Sequence, residues 1–188
     1  MTKIGFTTSR DPSKKTRSFI HDLVSVVPQS KRVVRGTSSL KFGLTSMKNQ
    51  GVETAIIINS VKGNPNFVRF FDLSSSEISE LPYAIKIRGI TLFREYSEEK
   101  KKKVRPSFSI MISTLNNPKE EEILKRFLSI SNTSVEKIRN SQYVTVYTDY
   151  LDKEEGLIFI EFLDKENSQV GPRIKLRIVD RKVGEMIN

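Results

Sequence analysis

The block Phe6-Thr7-Thr8-Ser9-Arg10-Asp11-Pro12-Ser13-Lys14-Lys15-Thr16-Arg17-Ser18-Phe19 constrains the chain most, because it runs an apolar strand straight into a basic helix. Asp11 suits an N-cap and Pro12 the first helical position. A helix starting there turns its unpaired backbone N–H groups to solvent beside Arg10, Ser13 and Lys14, a natural phosphate site. With the helical phase carried back to Arg10, spacings of 4, 3 and 4 align Arg10, Lys14, Arg17 and His21 on one face. Phe19, Ile20, Leu23, Val24 and Val27 take the other. Alone, such a stripe reads first as the solvated side of an ordinary amphipathic helix.

The elements that follow narrow the architecture. The first helix runs to about Val27, where Pro28 stops it. Lys31-Arg32-Val33-Val34-Arg35 reads as a short basic strand. Gly36 turns the chain, and Thr37 or Ser38 caps a second helix that buries Leu40, Leu44 and Met47 and closes at Gly51. Ala55-Ile56-Ile57-Ile58 is apolar throughout, as a strand covered on both faces is. The order β-α-β-α-β predicts an α/β fold with a parallel or mixed sheet and helices packed on it. Gly63-Asn64-Pro65-Asn66 is a turn feeding the strand Phe67 to Leu73. A polar connection from Ser74 to Pro82 leads to a long strand, or two broken at Gly89, over Tyr83 to Arg94. Ser97 to Lys103 reads as an exposed loop tip. Ser107 to Thr114 is a strand, and Asn117-Pro118 opens a helix reaching about Ile130.

A second half echoes the first. Thr7-Thr8-x-x-Asp11-Pro12 parallels Ser113-Thr114-x-x-Asn117-Pro118 at an offset of 106, and Val68 to Asp72 parallels Leu176 to Asp180 at 108. Ala55 to Ile58 has a counterpart in Leu157 to Ile160. The expectation is one domain over 1–188 built of two similar halves, about 1–82 and 83–188, each of mixed sheet with packed helices. The copies differ in charge. The first helix opens with Lys14, Lys15 and Arg17, whereas the second has Lys119 and then Glu120, Glu121 and Glu122. Cations in a first turn oppose the helix dipole at some tenths of a kcal/mol each, so the first copy accepts a cost that the second largely avoids.

The net charge of +10 is concentrated accordingly: residues 1–50 hold ten basic side chains and two acidic ones. Such a field attracts polyanions, because neutralising phosphates releases condensed counterions. No apolar run is long enough to span a bilayer, and Met1-Thr2-Lys3-Ile4 reads as the start of a strand and not a signal peptide, so the expectation is a cytoplasmic protein with no membrane partner. The absence of cysteine excludes a disulfide frame, a thiolate nucleophile and a Cys-based zinc site. His21 is the lone histidine. No nucleotide-binding glycine motif or metal-ligand spacing is present, and no cofactor, metal or catalytic residue is expected. Asp149 and Asp152, with Glu154 and Glu155, fit a solvated turn better than a magnesium site for phosphodiester chemistry. Near the end, Arg173, Lys175 and Arg177 alternate with Ile174, Leu176 and Ile178, giving a strand with a wholly cationic solvent face, itself suited to protecting a sheet edge.

Four blocks carry a resemblance: Thr7 to Phe19, Arg35-Gly36-x-x-Ser39-Leu40, Gly63-Asn64-Pro65, and Gly171-Pro172-Arg173-Ile174-x-Leu176-Arg177. In order and spacing the chain resembles the Brix-domain family of ribosome-biogenesis factors, in its short archaeal form. The resemblance implies two α/β halves, each like the anticodon-binding domain of class IIa aminoacyl-tRNA synthetases, binding ribosomal RNA or pre-rRNA during subunit assembly; the expectation is a monomer that acts without catalysis. Ribosomal proteins and other assembly factors are further partners it implies. Arg10, Ser13, Lys14, Lys15 and Arg17, then Lys31, Arg32 and Arg35, with Asn64, Arg69, Arg173, Lys175 and Arg177, are the candidate RNA-binding residues. The rival readings are a metal-dependent RNA-processing enzyme using Asp149 and Asp152, and a scaffold that chiefly binds proteins.

Overall fold

The computed structural model describes residues 3–96, 106–130 and 142–181. The loop expected over Ser97 to Lys103 lies outside them. The first strand is Ile4–Thr8 (β1), followed by the helix Lys14–Val26 (α1), a short strand Ser30–Arg32 (β2) and the helix Leu40–Asn49 (α2). Thr54–Val61 (β3), Asn64–Asp72 (β4) and Ser79–Thr91 (β5) follow, then a 3-10 turn over Phe93–Glu95. The second part contains Phe108–Ser113 (β6), the helix Pro118–Phe127 (α3), Tyr143–Asp152 (β7), Leu157–Leu163 (β8) and Arg173–Asp180 (β9).

These strands form one nine-stranded mixed sheet in the order β2-β1-β3-β4-β5-β9-β8-β7-β6. β1 runs parallel to both β2 and β3, and β4 and β5 follow antiparallel. β6 is parallel to β7, with β8 and β9 antiparallel after it. β5 and β9 pair antiparallel and join the two sets.

Alternation along the strands separates two apolar layers. On one face Phe6, Ile56, Ile58, Val68, Phe70, Ile85, Val146, Ile160 and Leu176 meet α1 and α3 in a single core. Phe127 of α3 packs edge-on against both Phe6 and Phe70, at 6.1 and 6.0 Å between centroids, so the sheet curls enough for α3 to reach the first strand. On the opposite face, Leu44 and Met47 of α2 cover Ala55, Ile57 and Phe71. α1 and α2 therefore sit on opposite sides of β1, as two right-handed crossovers in opposite directions require.

Several boundaries differ from the sequence reading. The cap of α1 is Ser13, whose Oγ accepts from the Thr16 N–H at 3.0 Å, and not Asp11, which sits at φ +50 before the helix. Ser39 caps α2 through the Phe42 N–H, in place of Thr37 or Ser38. The basic strand is only three residues long, and β5 begins at Ser79 inside the expected polar connection. Of the two readings for this segment, one long strand or two broken at Gly89, β5 is the single strand, with a bulge between Ile87 and Gly89. α3 ends at Phe127 rather than about Ile130. The largest difference concerns β9: it lies between β5 and β8 at the centre of the sheet and is not an edge strand.

Candidate nucleic-acid interface

Because β1 sends its chain through α1 to β2 on one side, and β2 returns through α2 to β3 on the other, the strand order reverses at β1. In open α/β sheets the crevice outside the carboxyl ends of the strands at such a point is the usual ligand site. Here it is a crevice of about 320 Å³, lined by Thr7 to Pro12, Arg17, Ile20 and Arg32 to Thr37. Four guanidiniums of the sequence-predicted set come together in it: Arg10, Arg17, Arg32 and Arg35. None of the four has an ion-pair partner among the described residues.

Local packing positions each of them. Arg17 stands one turn into α1, where Thr16 is fully buried and its hydroxyl meets Ser60 of β3 at 2.7 Å, pinning the helix entrance to the sheet. Arg32 is in register with Phe6, while the Val33 N–H donates to the Phe6 carbonyl at 2.8 Å and carries the chain onward beside β1. Arg35 lays its aliphatic stem over Gly43 of α2, where an added Cβ would lie 2.7 Å from its Cδ. Burial, and after it the neighbouring charge of Arg10, holds the Arg35 guanidinium below the usual arginine range. Its Nε is buried with no hydrogen-bond partner, and so is Oγ1 of Thr7, a residue only 2% exposed. Among the described residues Asp11 is the one carboxylate on the rim.

Beside the crevice, Lys14, Arg17 and His21 share the exposed face of α1, as the spacing predicts, and Lys15 is half-buried. Neither lysine has an ion-pair partner among the described residues. Arg10 does not continue that helical stripe, because residues 10–13 are not helical; it reaches the crevice through the bend. Ser13 is occupied as the cap and also meets the Thr16 hydroxyl at 3.0 Å. Lys31 is in register with Gly5, which faces α2, and its Nζ donates to Oε1 of Gln50 at 3.0 Å, away from Arg32.

The remaining candidates are placed differently. Lys62 and Gly63, at φ +48 and +81, make the two-residue hairpin between β3 and β4, and Asn64 donates to the Lys62 carbonyl at 3.3 Å, so its visible role is in the turn. Arg69 is bound by both oxygens of Glu80, at 2.8 and 2.7 Å, with its side chain only 11% exposed, and it is not available to an external phosphate. Arg181 joins the same carboxylate. On β9, Arg177 pairs with Glu155 and Arg173 lies 3.7 Å from Glu161 while covering the Tyr96 ring. Lys175 is exposed. The wholly cationic strand face is thus largely neutralised across the sheet.

The acidic turn likewise serves itself: Asp149 accepts from the Thr114 hydroxyl and the Tyr150 N–H, and Asp152 from the Glu155 N–H. Among the described residues no three His, Cys, Asp or Glu side chains come together, and no helix is long and apolar enough to cross a membrane. The sequence reading used Thr7 as part of a motif but not as a site residue, since nothing in the run Thr7-Thr8-Ser9 signals which hydroxyl is left unpaired.

Fold and crevice define a mixed α/β protein with four guanidiniums gathered at the edge formed by its first three strands. No family model matches the chain. It is 27% identical over 179 residues to a protein of Sulfurisphaera tokodaii named "probable Brix domain-containing ribosomal biogenesis protein", covering 95% of this chain and 94% of that one. A protein of the same name from Pyrococcus horikoshii is 33% identical over 108 residues, which cover 57% of this chain and about half, 48%, of the relative. The crystal structure of a probable ribosomal biogenesis protein from Aeropyrum pernix superposes over the full length of both chains with a TM-score of 0.76 at 20% identity. Mil, an archaeal Imp4-like protein, matches 94% of this chain with a TM-score of 0.61 at 20% identity. The chain is therefore similar over nearly its whole length to one archaeal protein named for the Brix domain and over about half its length to others, and the family resemblance carried by its motifs holds.

Proposed function

We propose that the protein is a ribosome-assembly factor that binds ribosomal RNA without catalysis, through the crevice and the adjoining face of α1. The observation that carries this reading is the convergence of Arg10, Arg17, Arg32 and Arg35 at one sheet edge with no ion-pair partner among the described residues, next to Lys14 and Lys15. The names of the relatives supply the setting, ribosome biogenesis. Unpaired guanidiniums at a sheet edge suit phosphate oxygens, which they meet in bidentate fashion. Contacts of this kind position the protein, and recognition of folded or unpaired RNA then supplies specificity.

In this reading the chain is one domain of two halves, about 1–82 and 83–188. The second, whose helix opens on Glu120 and Glu121, supports the first. It works as a cytoplasmic monomer, with ribosomal proteins or other assembly factors as further partners. The test is a titration of an rRNA fragment at several salt concentrations. Replacing Lys14, Lys15 and Arg17 by Glu should weaken binding and flatten the log–log salt slope by about 0.7 to 0.9 for each phosphate no longer neutralised. An unchanged slope refutes the assignment, and complexes that survive nuclease with proteins as the main co-purifying species would favour the scaffold instead.

A further inference from the structure

The crevice holds more than a passing backbone phosphate needs. Its lining sets four guanidiniums against one carboxylate, a net charge of +3. Two of its donors are already stripped of water: Oγ1 of Thr7 and Nε of Arg35 are both buried and unpaired. An orphaned buried donor costs about 1–3 kcal/mol, a cost that an acceptor oxygen would remove if it were seated deeply enough between Thr7 and Arg35, both of which line the crevice. The two sit on the same side. Thr7 is in register with Ile57, whose side chain packs toward α2, and Arg35 rests on α2 itself. Arg17 and Arg32 come from the side of α1, since Arg32 is in register with Phe6 of that core. Acceptors are therefore wanted from two directions at once.

A phosphodiester within a strand offers one negative charge and two free oxygens. A terminal phosphomonoester offers three free oxygens and about −1.5 to −2 charge at pH 7. Only the latter suits donors arranged on both walls of a crevice of this charge. At about 320 Å³ the space also lies at the small end of ligand pockets, about 300 to 1,000 Å³, enough for a phosphate and the nucleoside behind it.

We propose that the crevice is a receptor for a terminal phosphomonoester, gripping the end of an RNA strand rather than its middle. The source of the phosphate rests on the RNA-binding reading above; the preference for a dianion rests on the lining alone. The full chain is titrated by fluorescence anisotropy with one short labelled RNA carrying a 5′-phosphate, a 3′-phosphate or hydroxyls at both ends. One phosphorylated form should bind about tenfold more tightly than the hydroxyl form. Two variants test the site. Thr7→Val removes the orphan hydroxyl at nearly constant volume, and Gly43→Ala must displace Arg35 while improving the propensity of α2. In each, the ratio of affinities for phosphate and hydroxyl ends should fall toward one. Equal affinity of the unmodified protein for all three RNAs overturns the end site and leaves the RNA reading standing. Calorimetric binding of adenosine monophosphate but not adenosine, lost in Thr7→Val and with no RNA binding at all, supports the site and overturns the RNA reading.

Discussion

Arg10 and Arg69 are the same residue type put to opposite uses, and the difference lies in what faces them. Both oxygens of Glu80 engage Arg69, and Arg181 shares that carboxylate, in a site where all three side chains are less than a fifth exposed. Their charges are structural, tying β4, β5 and the end of β9 together. Removing one partner of a buried ion pair strands the others, at about 3–5 kcal/mol when burial is complete. Glu80→Gln should therefore cost about 2–4 kcal/mol, read as a lowered urea midpoint, whereas Arg10→Gln should leave the unfolding free energy within about 0.5 kcal/mol of the parent because it breaks no pair. Gly171 shows the same division between motif and cause. In the sequence it belongs to a block read toward RNA, yet an added Cβ there would lie 2.8 Å from the ring of Phe162, so it is first a packing requirement.

At the scale of elements, the course of the chain into α1 turns on which of two possible caps it uses. Asp11 and Pro12 form the more familiar pair, but the chain bends through a left-handed Asp11 and leaves capping to Ser13. That bend swings Arg10 into the crevice, which a helix starting at Pro12 would not do. Ser13→Ala should lose about 0.5–2 kcal/mol of stability, while Asp11→Asn, which keeps a residue tolerant of positive φ, should change it little; thermal denaturation of both variants checks this. The internal echo is equally instructive. Thr7-Thr8 and Ser113-Thr114 fall at the ends of β1 and β6, each parallel to the next long strand. The other two matches join β3 with β8 and β4 with β9; β3 lies beside β1, whereas β7 and not β8 lies beside β6, and a boundary near residue 82 falls within β5. Short apolar strands resemble one another too closely for offset alone to pair them.

At the scale of the whole molecule, tyrosines stitch distant segments together. Tyr96 donates to the Gly171 carbonyl ahead of β9, and Tyr150 on β7 donates to Glu120 on α3. Burial is the main cause that pushes both hydroxyls up to about 12. A group whose pKa is higher folded than unfolded holds its proton longer in the native state, so its contribution is complete below about pH 10 and is lost as pH rises toward about 12. Stability measured by urea titration from pH 8 to 12 should decline across that upper window. The Tyr96→Phe, Tyr150→Phe double variant should show a shallower decline.

The segregation of cations into the first fifty residues, the alternation of apolar positions and the order of helices and strands are properties of the chain itself, because charge counts and periodicity need no partner. Which cations remain unpaired was settled only in three dimensions. Arg69, Arg173 and Arg177 look as free in the sequence as Arg10 and Arg35. Neighbouring strands bring Glu80 to Arg69 and Glu161 to Arg173, the β7–β8 turn brings Glu155 to Arg177, and among the described residues no carboxylate pairs with the other two. An ion pair depends on a few ångströms of separation across the sheet, and separation along the chain carries no record of it.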